Sequence, residues 1–583
     1  TNLSHDHLDY HKNFKDYLNS KLYLFKYLVK KNGCMILDST IPQFKEIKSI
    51  STKKKLKLLT VFGKNSDLEL VTHMYDHEYQ ILKIKYKSQI FEIKLNLIGK
   101  IQIKNILMAI LAATQSNLNI RDIIKIINRL KPVEGRFEKI GTLKNKSKVL
   151  LDYAHTPDAL ETLIKNIRDQ FPLSKICLVF GCGGDRDKDK RLKMGKIASK
   201  YADKIYLTDD NPRNENPKKI RSEIKKGIKN KNSQEIPERK KAILKCISNL
   251  SSGDIAIIAG KGHEKTQDYK GKKKYFSDRK EILKSILKKN ELLFNDLRLN
   301  IIQEKSKILP KIINFNKACI NSKEIKKDDI FFAIKGKKND GNKFINQAFK
   351  KKASLAIVNK FVKNNDITRQ IKIKNTLKFL TEGSKIFRKN ISTKIIAITG
   401  SCGKTTLKEL LGSSLKKISK VSISPKSYNN KYGVPLSLFN LSQNDHYGVL
   451  ELGMDKKGEI DYLSKIVQPD VSVITNINYA HVKNFKNLKQ IALAKSEIIN
   501  NTKDNGFIVL NADDDFYNLH KKIAIKKNLK ILSFGIKNKN SNIKLINIQK
   551  EGKKFKANIR VDNVKTYFLI SNDFQNNILN ILA

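Results

Sequence analysis

The chain has 583 residues, 40% of them hydrophobic, and a formal net charge of +60. It is too long for one core and calls for several domains, and neither an apolar run of ~20 residues nor a signal-peptide pattern or initiator Met is present, so a cytoplasmic protein without membrane insertion is expected. The lysines are spread through every segment beside many Ile and Asn, which reads as codon drift and argues against a nucleic-acid partner.

Six cysteines, Cys34, Cys177, Cys182, Cys246, Cys319 and Cys402, form no Cys-x-x-Cys pair, so reduced thiols are expected rather than disulfides or structural zinc. Along the chain, short β-branched runs alternate with amphipathic stretches, the pattern of α/β units around parallel sheets. The expected fold is therefore multidomain α/β, built around parallel sheets. Strands are expected at Ile176 to Phe180, Ile205 to Thr208, Ile255 to Ala259, Lys394 to Thr399 and Val471 to Ile474. Most polar motifs follow one of these runs, at the strand ends that open α/β sheets use for binding.

In chain order, the opening Thr1-Asn-Leu-Ser-His-Asp-His7 is followed by Lys21. Next come Gly135-Arg136-Phe-Glu138, Asp152-Tyr-Ala-His155-Thr-Pro157 and Gly181-Cys-Gly-Gly-Asp-Arg186. Asp210-Asn211-Pro212-Arg213 and Gly260-Lys-Gly-His-Glu264 each follow a strand. A lysine-rich joint at Lys280 to Glu291 precedes Asn321-Ser322-Lys323 and the run Asp328 to Gly341. The loop Gly400-Ser401-Cys402-Gly403-Lys404-Thr405-Thr406 then follows a strand and opens a helix, where backbone N–H groups and the helix dipole favour phosphate. Lys404 is suited to β/γ oxygens of ATP and the Thr405 hydroxyl to Mg²⁺. Beyond it lie Leu450-Glu451-Leu452-Gly453, Thr475-Asn476, His481, Lys495 and Asn511-Ala-Asp513-Asp514.

The opening pattern recurs. Thr1-Asn2, His7 and Lys21 reappear as Thr475-Asn476, His481 and Lys495, and 475 − 1, 481 − 7 and 495 − 21 all equal 474. Asn32-Gly33 with Asn505-Gly506, and Asn105-Ile106-Leu107 with Asn580-Ile581-Leu582, keep nearly the same register. Lysine matches weigh little in so basic a chain, but there are only 10 histidines in 583 residues. A long-period duplication is expected, with the phosphate loop preceding only the second copy. Where the second copy has Asn511-Ala-Asp513-Asp514, the first has Asp38-Ser39-Thr40-Ile41.

At these residues the sequence resembles the Mur ligase family, ATP-dependent amide-forming enzymes of peptidoglycan precursor synthesis. The resemblance implies Glu451 and His481 as Mg²⁺ ligands and Lys495 as a lysine carbamylated by CO₂, with His7 and Lys21 as their counterparts. It implies that Arg136, Asp152 and His155 face nucleotide, with Asn511 as an adenosine contact in the second copy. Arg186, Asp210, Asn211, Pro212, Arg213, Gly260 and Glu264 match the amino-acid pocket of the members that add meso-diaminopimelate. A zwitterionic diamino diacid needs guanidinium forks, here Arg186 and Arg213, and acceptors for its distal ammonium, here Glu264 and the Gly260 carbonyl. Ser322 and Lys323 fall where members adding D-alanyl-D-alanine contact the sugar nucleotide. The resemblance also implies P-loop-type ATPase domains and a Rossmann-like ligase domain. The implied domains are 1–97 (partial ATPase), 98–288 (amino-acid binding), 289–390 (UDP-sugar-peptide binding), 391–571 (ATP binding) and 572–583 (start of a further domain).

The implied activity is two ligases in tandem, the first adding meso-diaminopimelate to UDP-MurNAc-L-Ala-D-Glu, the second adding D-Ala-D-Ala to the tripeptide product. Each unit is read as cut at one outer end, so the chain as written is expected to catalyse neither ligation by itself. Competing readings are a folylpolyglutamate-type ligase, a basic P-loop protein acting on nucleic acid, and an inactive chain. The first does not call for the Asp210 to Arg213 pocket; the second calls for a localised basic groove.

Overall fold

The computed structural model describes residues 11, 13–229, 232–308, 315–336, 339–442, 444–479, 484–552, 554–571 and 577–583, and divides into two compact units, Thr1–Asn295 and Asp296–Ala583. The fold class is mixed α/β with several parallel sheets, as the alternation of apolar runs and amphipathic stretches requires.

In the first unit, β1 (Cys34–Asp38), β2 (Lys57–Phe62), β3 (Leu68–Asp76), β4 (Tyr79–Tyr86) and β5 (Gln89–Leu95) form one sheet in sequential order. The pairings β1/β2 and β2/β3 are parallel, whereas β3/β4 and β4/β5 are antiparallel. Alternate residues of β4, Leu82 and Ile84, are fully buried against the helix Ile101–Thr114 through Ile103, Leu107 and Leu111. Each such side chain contributes about 1.5–3 kcal/mol by leaving water.

The same unit holds a second sheet of β6 (Glu138–Thr142), β7 (Lys148–Asp152), β8 (Ile176–Phe180), β9 (Lys204–Leu207), β10 (Ser233–Glu235) and β11 (Ile255–Ala259), in the order β10-β9-β8-β11-β7-β6. Only β6 runs antiparallel to its neighbour. Every residue of β8 and β11 is buried, because helices cover both faces. A hairpin of β12 (Thr266–Tyr269) and β13 (Lys272–Tyr275) follows. The lysine-rich joint is the helix Asp278–Glu291, which buries Ile282 and Ile286 in the core of this unit.

In the second unit β14 (Ala318–Cys319), β15 (Ile330–Phe332), β16 (Leu355–Val358) and β17 (Gln370–Lys372) make a small parallel sheet. A nine-stranded sheet follows, built from β18 (Lys394–Thr399), β19 (Val421–Ile423), β20 (Tyr447–Glu451), β21 (Val471–Ile474), β22 (Phe507–Asn511), β23 (Lys530–Gly535), β24 (Ile543–Glu551), β25 (Lys554–Val561) and β26 (Val564–Ser571). Its order is β19-β20-β18-β21-β22-β23-β24-β25-β26.

The duplication read in the sequence is present in the architecture. From β22 to β26 the pairings run parallel, parallel, antiparallel, antiparallel, as they do from β1 to β5. Both copies slip register at the same point, between Leu70 and Thr72 and between Leu545 and Asn547, and 545 − 70 and 547 − 72 both equal 475. Among the described residues no helix is long and apolar enough to cross a membrane. All six cysteines are free, with Cys34 and Cys402 exposed and the other four buried.

Candidate functional site

In the second unit the loop Gly400–Gly403 joins β18 to the helix Lys404–Lys416. Gly400 is required there: its φ is +151° and a Cβ would lie 1.8 Å from the Thr475 hydroxyl. The loop is held from the end of β21. Ser401 and Cys402 donate their N–H groups to the main-chain and side-chain oxygens of Asn476 at 2.9 and 3.0 Å, and the Thr475 hydroxyl donates to the Cys402 carbonyl at 2.7 Å. The repeated Thr-Asn pair is thus a brace for this loop.

Two lysines meet the loop. Lys404 donates to the Gly400 and Ser401 carbonyls at 2.8 and 3.0 Å, and burial pulls its pKa down against the raising influence of Glu451. Lys495, on the helix Leu488–Asn501, is 2% exposed and donates to Gly400 O at 2.8 Å. Burial, assisted by the neighbouring Lys404 charge, lowers its pKa to about 7. A large share of this amine is neutral at physiological pH, the form that attacks CO₂.

Thr405 donates its hydroxyl to Glu451 Oε2 at 2.8 Å, and Asn429 donates Nδ2 to Oε1 of the same buried carboxylate at 2.8 Å. A hydroxyl and a carboxylate converging beside a phosphate loop are hard oxygen donors of the kind Mg²⁺ takes. Thr405, Glu451 and Lys495 therefore gather at the loop Gly400–Gly403, while His481 lies outside the described residues. Thr406 is half-buried on the helix, and Asn511 ends β22 with its side-chain oxygen accepting from Asp513 N–H at 3.0 Å. Ser322 and Lys323 sit on a separate 3₁₀ turn, where Ser322 donates to Gln347 Oε1 at 2.6 Å and Lys323 is exposed.

Lys21 differs from its counterpart. It is exposed on the helix Phe14–Tyr23, with its ammonium 4.7 Å from the centre of the Tyr17 ring. The carbamate and metal-ligand reading of Lys21 is a proposal, not an observation. His7 lies outside the described residues.

The first unit carries a second polar cluster at the carboxyl ends of β7, β9 and β11. Lys261, completely buried, donates to Asn211 Oδ1 and Glu264 Oε2, both at 2.9 Å, and Asn211 Nδ2 donates to Glu264 Oε2 at 3.0 Å. Its ammonium holds the Glu264 carboxyl below the usual range despite burial. Glu264, read as the acceptor for a substrate ammonium, thus already has an internal cation on one oxygen. Tyr153 donates its hydroxyl to the other oxygen at 3.3 Å. Asp210 is buried and its pKa is raised by desolvation; its Oδ2 has no hydrogen-bond partner and lies 2.6 Å from where a Cβ on Gly260 would stand. Gly260, at φ +115°, is thus required.

Arg213 adopts φ 51° and donates Nη1 to Gly184 O at 2.5 Å. The hairpin holds its backbone: Arg213 N–H donates to Asp268 O at 3.0 Å and Lys270 N–H to Arg213 O at 2.7 Å. Pro212 is buried, and Arg186 is exposed two residues beyond Gly184. Asn211, Gly260, Glu264 and Asp210 are therefore brought together, Arg213 borders them, and Arg186 stands on the outer part of the adjoining loop. Arg136 stacks over the Tyr153 ring at 4.7 Å, His155 donates Nδ1–H to Tyr153 O at 2.8 Å, and Asp152 accepts the N–H groups of Phe137 and Ala154, each at 2.7 Å.

Sequence reasoning missed Lys261, Tyr153 and Asn429. The first two stand inside motifs already singled out, and the spacing of Lys261 three residues before Glu264 was the available signal. Asn429 follows a short strand with no pattern to mark it.

The sequence pattern of the Mur ligase middle domain matches residues 1–113 and 398–583, and that of the Mur ligase glutamate ligase domain matches residues 135–262. The UDP-N-acetylmuramoyl-L-alanyl-D-glutamate–2,6-diaminopimelate ligase of Rickettsia montanensis is 40% identical over 289 residues, 49% of this chain and 59% of that protein. The enzyme of the same name from Aquifex aeolicus is 40% identical over 292 residues, 49% of this chain and 58% of that protein. This chain thus spans about six tenths of the length of these relatives. Among solved structures, MurF from Acinetobacter baumannii matches with TM-score 0.43 and 28% identity, over 49% of this chain and 62% of that one. MurF from Thermotoga maritima in complex with ADP matches with TM-score 0.40 and 30% identity, over 46% of this chain and 61% of that one.

Proposed function

Because the chain belongs to the Mur ligase family, we propose that it serves ATP-dependent amide-bond formation in peptidoglycan precursor synthesis. The observation that carries this reading is the convergence of Lys404, Lys495, Thr405 and Glu451 on one glycine-hinged loop. The loop N–H groups and Lys404 bind the ATP phosphates. Thr405 and Glu451, with His481, would hold Mg²⁺, which when bound would supply charge neutralisation for phosphoryl transfer. Lys495 adds CO₂ through its neutral amine, forming an N–C bond and releasing a proton, so a would-be cation becomes an anionic oxygen donor. The substrate carboxylate attacks the γ-phosphate to give an acyl phosphate and ADP, and an incoming amine displaces phosphate. Positioning and charge neutralisation supply most of the rate.

For the first unit the amine is assigned to meso-diaminopimelate, held by Arg186, Asn211, Arg213, Gly260 and Glu264, with UDP-MurNAc-L-Ala-D-Glu as acceptor. Lysine lacks the distal carboxylate and leaves Arg213 short of a partner, at a cost of ~1–3 kcal/mol. For the second unit the substrates are UDP-MurNAc-tripeptide and D-Ala-D-Ala, with Ser322 and Lys323 toward the sugar nucleotide.

Titration of the chain with a fluorescent ADP, with and without Mg²⁺, tests the loop, and calorimetry with meso-diaminopimelate against L-lysine tests the pocket. Mg²⁺-enhanced ADP binding and a preference for meso-diaminopimelate are expected. No ADP binding, or equal affinity for the two amino acids, would overturn the respective assignment.

A further inference from the structure

Residues 425–430 of the second unit form neither helix nor strand, yet side chains from two directions fasten them. Lys408, one turn beyond Thr405 on the loop helix, is completely buried; its ammonium donates to the Lys426 carbonyl, with Glu409 Oε1 3.2 Å away. Lys426 holds a left-handed φ of 47°. A buried ammonium is costly unless acceptors meet it, so the loop helix and this segment are tied together at that point. From the other side Glu324, beside Ser322 and Lys323, accepts from Lys426 Nζ at 3.0 Å and from the Tyr428 hydroxyl at 3.1 Å.

The tether ends on the carboxylate beside the phosphate loop. Asn429 donates Nδ2 to Glu451 Oε1 at 2.8 Å, and its own carbonyl accepts from Gly453 N–H at 2.8 Å. One oxygen of Glu451 is thereby fixed by Asn429, and the other faces Thr405.

We propose that residues 425–430 act as a strap and that Lys408 is a positioning residue, which through Lys426 and Asn429 fixes the Glu451 carboxylate for a divalent cation. Glu324 fastens the same strap from the turn that carries Ser322 and Lys323. The inference rests on the nucleotide reading of the loop given above. Lys408 carries the larger effect because it is buried, whereas the Glu324–Lys426 side chains are 41% and 75% exposed and such pairs contribute little.

The test measures fluorescent ADP binding to the full chain as Mg²⁺ is raised, for wild type, Lys408→Met and Glu324→Gln. Lys408→Met should raise the Mg²⁺ concentration at half-saturation on the order of tenfold while Mg²⁺-free ADP affinity stays within about twofold. Glu324→Gln should shift it the same way by about twofold; being exposed, that variant keeps the experiment interpretable if Lys408→Met fails to fold. A generally destabilised fold would lower both affinities together and overturn the assignment. Unchanged Mg²⁺ dependence in folded variants would overturn it too, leaving the nucleotide reading intact. A wild-type chain that binds no ADP would refute the nucleotide reading and this inference with it.

Discussion

Lys495 and Lys21 occupy the same step of a duplicated pattern and end in opposite environments. Lys495 lies beneath the phosphate loop with its amine on Gly400 O and its pKa near 7; Lys21 is exposed over the Tyr17 ring. Five strands beside them repeat in order, down to the bulge. The loop that covers Lys495, Gly400–Gly403, stands ahead of the repeated segment, which starts at Thr475. Polar use differs too: Asp38, buried at the end of β1, pairs with Lys104 at 2.5 Å and accepts from Thr40 N–H at 2.8 Å. In the other copy Asp513 instead accepts three successive N–H groups, of Ile536, Lys537 and Asn538.

The largest expected effect is all-or-none. With ¹³C-bicarbonate, a lysine carbamate resonance should appear, vanish in Lys495→Met and persist in Lys21→Met. It should fade as pH falls below about 7, where the Lys495 amine takes up a proton. Loss of the signal in Lys21→Met would break the comparison.

Lys404→Ala removes a charge-assisted contact to phosphate worth ~1.5–3 kcal/mol, so ADP affinity should fall about 10- to 100-fold. Lys21→Ala should leave it unchanged in the same fluorescence titration.

The proton linkage gives a third test. The folded pKa of Lys495, about 7, lies below the ordinary lysine value of 10.5, so the folded state binds fewer protons across that window and stability rises with pH through it. In pH-dependent unfolding Lys495→Met should flatten this rise by up to ~1.4 kcal/mol per pH unit.

The smallest effect belongs to the first unit's own cluster. Tyr153→Phe removes the 3.3 Å hydrogen bond to Glu264. The loss is ~0.5–1.5 kcal/mol, so calorimetry should find meso-diaminopimelate bound about two- to tenfold more weakly.

The sequence by itself determined the α/β class, the strands before the motifs, the glycine-rich loop opening a helix at Lys404 and the duplication. Each of these is local: a β-branched run, a glycine-rich turn opening a helix, or a fixed spacing. Strand ends came within a residue, as at Lys204–Leu207. Only the tertiary structure decided that Lys495 is buried, that Lys261 already occupies Glu264, and that Asn429 reaches Glu451 across 22 positions. These facts depend on which distant segments exclude water from a side chain and which acceptors they present to it. Lys495 and Lys21 read alike as letters because burial and partners belong to packing, where pKa and metal affinity are set.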